Sequence, residues 1–292
     1  MKYIIRIFAD CASSSRLKEI YEKICEVDKL DYYGPDKEIY ITDGDYYTHA
    51  FILNHITPKL NIPKENVIGL ANEPPAYLLQ MFTKNNFINY ASKYIGKYFV
   101  GDGGILPEPF IEKYSFMPHI APLRYIPLKT KLMSIIVSEK SVKYNAYGYD
   151  YRLQILNQIL NSNLPIDIYG RICTYLSNNN IKDSRLKGEF NEYEPYENYK
   201  FHICIENFRT NAYVSEKVIN PLITNTVPIY LGCHNIDTYF GDNVIQMSGD
   251  LQKDMLLIND IIIHPEKYKK NIDLEFIKSK TSLIQNIKEI FA

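Results

Sequence analysis

Short apolar runs alternate with segments of helical periodicity along most of the 292-residue chain. The runs include Val67–Leu70, Leu132–Val137 and Phe201–Ile205, and helical patterns such as Leu78–Ile95 and Tyr149–Leu160 lie between runs of this kind. Strands that alternate with helices form parallel sheets, because a parallel connection has to cross over the sheet. A run that is apolar on both faces also favours a strand covered on both sides. The pattern therefore predicts an α/β protein of wound units.

The length predicts two domains. One hydrophobic core stops growing at about 250–300 residues, and domains of about 100–150 residues are the commonest. Between Pro107 and Lys129 the sequence contains five prolines and no regular strand or helix pattern. We therefore predict that this stretch connects the domains. We predict a first domain at 1–122 and a second that begins at 123.

Charge and composition exclude several classes of protein. Lys and Arg number 33 and Asp and Glu number 34, so no overall basic field exists and no nucleic-acid partner is expected. The sequence contains no apolar stretch of about 18 residues, so no transmembrane helix is expected. The N-terminal MKYIIRIFAD predicts a strand rather than a signal peptide. The five cysteines are scattered without a CxxC pair, as in proteins of a reducing compartment. We therefore expect a soluble, cytoplasmic protein.

Residues 206–217, ENFRTNAYVSEK, place charged and polar groups directly after the apolar run Phe201–Ile205. In wound α/β sheets, ligands bind at the carboxyl ends of the strands. Glu206 and Asn207 fall at such an end, which makes them candidate binding residues.

The second half of this segment predicts the start of a helix. The hydroxyl of Ser215 is a candidate N-cap for a helix that begins near Glu216. Lys217 would then lie beside the free first-turn amides, a setting that favours anions. Pro221 predicts a kinked or delayed helix. The segment is typical of a phosphate site; a capped surface helix with solvated charges is the alternative.

The longer stretch FHICIENFRTNAYVSEKVINPLITNTVPIYLG, residues 201–232, resembles the signature of glycosyltransferase family 10, the α-1,3/1,4-fucosyltransferases. That signature is approximately F-x4-E-N-x5-Y-x-[ST]-E-K-x9-[VI]-P-x3-G, and the stretch fits every position. The resemblance implies a GT-B fold, in which two Rossmann-like domains face a cleft. It implies an acceptor-side domain at 1–122, a nucleotide-sugar donor domain at 123–270, and a C-terminal helix at 271–292 that packs back on the first domain.

The resemblance also implies a reaction. Family members transfer L-fucose from GDP-fucose to a hydroxyl of a glycan acceptor with inversion, and an α-1,3 linkage to a GlcNAc or glucose residue is expected. The expected partners are GDP-fucose and an oligosaccharide or glycoconjugate acceptor. No cofactor is required, and a divalent metal is at most stimulatory. The alternatives are a GT-B transferase that uses another nucleotide sugar and a catalytically inactive glycan- or nucleotide-binding relative.

The signature assigns donor-binding roles by position. Lys217 matches the family lysine near the diphosphate, and Glu216 matches the carboxylate that binds nucleotide or sugar hydroxyls. Glu206, Asn207 and Tyr213 match further donor-side positions.

A weaker likeness reaches two positions outside the signature. Arg152 matches an arginine that reaches the phosphates, a task that suits the permanent charge and bidentate geometry of a guanidinium. A solvent-facing helix arginine is the alternative. Glu73, in the loop after Val67–Leu70, matches the glutamate that acts as general base, and we expect its carboxylate to be partly desolvated. The order Ala-Asn-Glu-Pro-Pro departs from the family's GEN-x-x-P pattern, and an ordinary loop glutamate is the alternative.

Asp43 and Asp45 form a D-x-D sequence, which in the other large glycosyltransferase architecture holds Mn²⁺. Here it lies in the first domain, apart from the donor signature, and Asp-Gly-Asp is also a common turn sequence. The dispersed histidines and cysteines give no zinc pattern. The sequence therefore predicts no metal site.

Overall fold

The computed structural model describes residues 2–84, 86–104, 106–139 and 147–292. These residues form two compact units, each with its own six-stranded sheet. The first unit contains Met1–Pro122, Thr210–Ser215 and Ser279–Ala292, and the second contains Leu123–Arg209 and Glu216–Lys278. Two helix-covered parallel sheets confirm the α/β class that the alternating pattern predicts.

The elements follow one another in the expected alternation. The strands are β1 (Tyr3–Phe8), β2 (Ile39–Thr42), β3 (His49–Leu53), β4 (Val67–Leu70), β5 (Lys97–Val100), β6 (Phe110–Glu112), β7 (Lys131–Ile136), β8 (Ile166–Tyr169), β9 (Leu186–Gly188), β10 (Tyr199–Ile205), β11 (Val227–Leu231) and β12 (Ile245–Gln246). The helices are α1 (Ser14–Asp28), α2 (Pro75–Lys84), α3 (Phe87–Tyr94), α4 (Tyr147–Leu160), α5 (Ile172–Asn178), α6 (Glu216–Ile223), α7 (Ile236–Phe240), α8 (Leu251–Ile263), α9 (Leu274–Thr281) and α10 (Ile287–Ile290).

Both sheets are parallel throughout and contain a reversal of strand order. The first sheet has the order β2-β1-β3-β4-β5-β6, so the chain reverses direction across the sheet between β1 and β3. The second has the order β9-β8-β7-β10-β11-β12, with the reversal between β7 and β10. Counted from β7, this is the 3-2-1-4-5-6 order of dinucleotide-binding folds, whose ligands bind at the reversal.

The central strands are buried on both faces, which explains their continuous apolar sequences. Every residue of β4 and of β11 is buried. Complete burial of an aliphatic or aromatic side chain contributes about 1.5–3 kcal/mol. The two sheet interiors therefore supply most of the stabilisation and leave polar groups to the strand ends.

The prediction of one helix at Leu78–Ile95 is wrong, because two helices occupy this stretch. α2 ends at Lys84 and α3 begins at Phe87. Between them Asn86 has a left-handed backbone with φ of 53°, which asparagine tolerates better than most residues. The apolar periodicity continues across the break, since the rings of Phe82 and Phe87 stack with centroids 5.0 Å apart.

The proline-rich stretch predicted as a connection contains a strand. β6 adds to the edge of the first sheet, with Tyr98 of β5 opposite Phe110. A strand of three residues, of which Phe110 alone is buried, is too short to produce an alternating pattern. Within the part of the chain that the structure describes, no helix has both the length and the apolar character needed to cross a bilayer.

Candidate functional site

Glu206 and Asn207 lie directly after β10, at the strand reversal of the second sheet. Glu206 is completely buried (0% exposed), and its N–H donates to the Leu231 carbonyl at the end of β11, 2.8 Å away. A Cβ on Gly232 would lie 2.5 Å from Glu206 Cγ and 2.3 Å from the Tyr230 hydroxyl. The buried carboxylate therefore fits because residue 232 has no side chain.

Lys217 places a positive charge beside this carboxylate. Its Nζ lies 3.7 Å from Glu206 Oε2 and 2.9 Å from Glu216 Oε1, and 26% of its side chain is exposed. Burial alone would lower the pKa of Lys217, but the Glu216 and Glu206 carboxylates outweigh burial and raise it. The side chain therefore remains an ammonium at neutral pH. A buried carboxylate without such a partner costs several kcal/mol.

Arg152 supplies a second cation from α4. It is 4% exposed, and its guanidinium donates to the Ile205 carbonyl and, over 3.2 Å, to Asn207 Oδ1. The helix approaches this strand end closely, since a Cβ on Gly148 would lie 1.6 Å from the Glu206 carbonyl oxygen. The structure therefore brings Arg152, Glu206, Asn207 and Lys217 together at one strand end.

The helix that carries Lys217 begins where the sequence predicts. α6 starts at Glu216, directly after Ser215, and ends at Ile223. It is not delayed by Pro221, which lies near its end. A proline there removes a single intrahelical bond, to the Lys217 carbonyl, which an eight-residue helix tolerates near its end.

Tyr213 belongs by its contacts to the first unit, whereas Glu216 and Lys217 belong to the second. Tyr213 is buried, and its N–H donates to Thr210 Oγ1 over 3.0 Å. The Thr210 hydroxyl donates to the Gly101 carbonyl over 2.7 Å. A Cβ on Gly101 would lie 2.6 Å from Tyr213 Cβ, so this contact needs glycine. The donor-side role of Tyr213 stays a prediction.

Glu73 lies after β4 in the first unit and is exposed, in contrast to the expected partial desolvation. Its N–H donates to Asn54 Oδ1 over 3.1 Å, and the N–H of Asn72 donates to the same oxygen over 3.0 Å. The loop is therefore fixed by its backbone, while the Glu73 side chain faces solvent in this structure.

The D-x-D sequence forms a local surface cluster. Asp43 accepts hydrogen bonds from the Ser15 hydroxyl at 3.0 Å and from Lys18 at 3.2 Å, and Asp45 pairs with Arg6 at 2.8 Å. The hydrogen bond from Ser15, one from backbone N–H and the contact with Lys18 lower the pKa of Asp43. No cluster of three or more metal-ligating side chains occurs in residues 2–84, 86–104, 106–139 and 147–292.

The sequence alone does not identify two residues that shape the second unit near its strand ends, Asp254 and Gly148. Asp254, buried in α8, accepts hydrogen bonds from the N–H groups of Ser248 and Gly249 over 2.7 and 2.8 Å and from the Tyr151 hydroxyl over 2.6 Å. It thereby fixes the turn after β12. The Ser-Gly-Asp sequence at 248–250 is typical of a turn and could have indicated this one. No local pattern indicates Gly148, because its partner Glu206 is far away in sequence.

Comparisons with known proteins extend this picture. Residues 126–246 match the model of the glycosyltransferase family 10 (fucosyltransferase) C-terminal domain. A putative fucosyltransferase of Acanthamoeba polyphaga mimivirus is 28% identical over 185 residues, which are 58% of this chain and 29% of that protein. An α-(1,3)-fucosyltransferase of Helicobacter pylori is 31% identical over 110 residues, 38% of this chain and 20% of that protein. The matched regions thus span less than a third of either relative.

Among solved structures, that of an α1,3-fucosyltransferase with GDP-fucose is similar over 99% of this chain and 90% of that chain, with a TM-score of 0.52 and 13% identity. The likeness establishes the fold, with two wound parallel α/β units as in GT-B proteins, and confirms the predicted fold class. The strand end with Arg152, Glu206 and Lys217 lies within residues 126–246, the region that matches the family 10 model.

Proposed function

We propose that the protein is an inverting fucosyltransferase that transfers L-fucose from GDP-fucose to a hydroxyl of a glycan acceptor. An α-1,3 linkage to a GlcNAc or glucose residue is part of the proposal. The observation that carries it is the convergence of Arg152, Glu206, Asn207 and Lys217 at the strand reversal of a family 10 domain. The solved neighbour with GDP-fucose supports the choice of donor.

The two cations serve the leaving group in this proposal. When the bond between fucose and the β-phosphate breaks, GDP departs with the electron pair and its negative charge grows. Fixed positive groups aimed at such charge contribute on the order of several kcal/mol. Arg152 and Lys217 are positively charged at neutral pH, so they neutralise the diphosphate without a bound metal, and a divalent ion is at most stimulatory. Glu216, with Glu206, Asn207 and Tyr213, completes the donor site.

Glu73 is the proposed general base. It removes the proton of the acceptor hydroxyl as that oxygen bonds to the sugar carbon on the face opposite GDP, which inverts the configuration. General-base help contributes about 10²- to 10⁴-fold in rate. Glu73 lies at the carboxyl end of β4, the edge at which wound sheets bind ligands.

Nucleotide titration tests the donor. The melting temperature is measured with GDP, UDP and dTDP and with their sugars. We expect GDP and GDP-fucose to stabilise the protein, by about 2.7 kcal/mol at a hundredfold excess over Kd. Stabilisation by UDP but not by GDP would contradict the proposed donor.

A transfer assay tests the base. Glu73→Gln should retain GDP binding but lose transfer by about 10²- to 10⁴-fold. The exposed glutamate Glu65 of the same unit supplies the matched control Glu65→Gln, with unchanged turnover expected. Full turnover of Glu73→Gln would remove Glu73 from the mechanism. A wild-type protein that binds GDP-fucose yet neither hydrolyses nor transfers it would be an inactive relative.

A further inference from the structure

Asn54 lies where β3 ends, at the strand reversal of the first sheet. It is 2% exposed and has a left-handed backbone with φ of 57°. A buried side-chain amide is stable only when its polar atoms have partners. Asn54 Oδ1 accepts two hydrogen bonds, from the N–H of Asn72 at 3.0 Å and from the N–H of Glu73 at 3.1 Å.

The other atoms of Asn54 are fixed as well. Its Nδ2 donates to Asp10 Oδ1 over 3.1 Å, and its carbonyl accepts a hydrogen bond from the Tyr98 hydroxyl over 2.5 Å. Asp10 also approaches His55, with Oδ2 and Nδ1 3.5 Å apart. Since two N–H groups face Oδ1 and a carboxylate faces Nδ2, the amide fits in one orientation only. Asn54 therefore joins the ends of β1, β3 and β4.

We propose that Asn54 is a positioning residue for the loop that carries Glu73, an inference that rests on the proposed function. The contact reaches the backbone of Glu73 itself, so it fixes the point from which the carboxylate extends toward the acceptor. Displacement of a catalytic group by about 1 Å can lower a rate by about 100-fold. The neutral amide also lets the loop approach Asp10 without adding a further negative charge beside it.

Asn54→Gly is the sharpest test, because glycine accepts this backbone conformation and only the side chain is removed. We expect kcat for transfer to fall by about 10- to 100-fold, with KM for GDP-fucose within about twofold of wild type. Amide hydrogen exchange should show loss of protection at residues 72 and 73. In the Glu73→Gln background, Asn54→Gly should lower the residual rate no further.

A matched control and a reciprocal exchange separate positioning from general destabilisation. Asn180 in the second unit is exposed and has a φ of 61°, so Asn180→Gly makes the same change elsewhere and should leave kcat unchanged. Asn54→Asp alone places two carboxylates together, whereas Asn54→Asp with Asp10→Asn restores the hydrogen bond with donor and acceptor exchanged. The double variant should therefore recover amide protection and kcat, and it decides the question if Asn54→Gly fails to fold.

Protected amides at residues 72 and 73 in Asn54→Gly, or exposed amides with unchanged kcat, would overturn the inference. So would an equal rate loss in the Glu73→Gln background, which a merely structural role predicts. Failure of the proposed function has a different signature, because wild type itself would then transfer no fucose. In that case the inference is overturned in its catalytic part, and the exchange measurement still decides whether Asn54 holds the loop.

Discussion

The carboxyl edges of the two sheets hold their polar loops by opposite means. In the second unit the buried carboxylate of Glu206 is matched by charge, with Lys217 3.7 Å away and with Arg152 bonded to the adjoining strand end. In the first unit a neutral amide, Asn54, fixes the backbone of Glu73 and leaves that carboxylate exposed. Similar parallel scaffolds thus give one edge that depends on compensating charges and one that does not.

Among the variants that test this contrast, Lys217→Ala should cause the largest losses of stability and of transfer. Removing one partner of a buried ion pair leaves an uncompensated charge, which costs about 3 kcal/mol. Transfer should also fall by about 10²- to 10³-fold, because the proposed leaving-group cation is lost. Chemical denaturation and single-turnover kinetics measure the two effects.

Lys200→Ala is the matched control for that variant. Lys200 lies in β10 and pairs with Glu266 at 3.0 Å, but both side chains are well exposed. A surface pair contributes about 0–1 kcal/mol, so this variant should retain stability and transfer. Equal losses in the two lysine variants would show that the second edge does not depend on its buried pair.

Gly148→Ala should have the next largest effect. The added Cβ would lie 1.6 Å from the Glu206 carbonyl oxygen, so α4 must move away from β10. Such overpacking costs about 1–3 kcal/mol, and the movement should also weaken GDP binding, since α4 carries Arg152. Melting temperature and GDP titration give the measurement.

Gly69→Ala in β4 is the counterpart of Gly148→Ala in the first sheet, because it also adds a Cβ at a close contact. Its Cβ would lie 1.8 Å from the ring of Tyr98, which is also too close for an unchanged structure. We expect Gly69→Ala to destabilise the protein with GDP affinity retained. A loss of GDP affinity in Gly69→Ala but not in Gly148→Ala would reverse the assignment of the donor site.

The features that the sequence predicts involve residues close together along the chain, whereas the features that it misses involve residues far apart along the chain. The strands Val67–Leu70 and Val227–Leu231 are predicted at their observed bounds, because burial on both faces leaves continuous apolar runs. The order Glu206, Asn207, Glu216, Lys217 is a local signature. Gly148 and Asn54 escape prediction, since each is defined by a residue that only folding brings near.

The pH dependence of stability should also differ between the two sheets. His202 in β10 is buried, and burial lowers its pKa to about 3. Its Nδ1 lies 2.8 Å from Ser134 Oγ, which in turn donates to the Pro195 carbonyl over 2.5 Å. In the unfolded chain a histidine takes up its proton near pH 6.5. Below about pH 6.5 the unfolded chain therefore binds a proton at this histidine that the folded protein does not bind, and protonation favours unfolding.

The contribution of His202 is fully present above about pH 6.5 and is lost as the pH falls toward 3. The free energy of unfolding should decrease by up to about 1.4 kcal/mol per pH unit in this window. His202→Gln should flatten the slope, whereas His264→Gln, at an exposed position, should not. His49 in β3 is only partly buried, and burial followed by the charge of Lys2 lowers its pKa. A flatter slope in His49→Gln than in His202→Gln would locate acid sensitivity in the first sheet.

The smallest effect is expected for Asp43→Asn combined with Asp45→Asn. These carboxylates lie in the first unit, where Lys18 and Arg6 pair with them on the surface. The proposed leaving-group cations Arg152 and Lys217 lie in the second unit. The double variant should therefore transfer fucose at the wild-type rate, both with EDTA and with added Mn²⁺. If Mn²⁺ stimulates wild type and this variant alone loses the stimulation, the first unit holds a catalytic metal. The proposed difference between the charged strand ends of the second sheet and the neutral strand ends of the first would then be wrong.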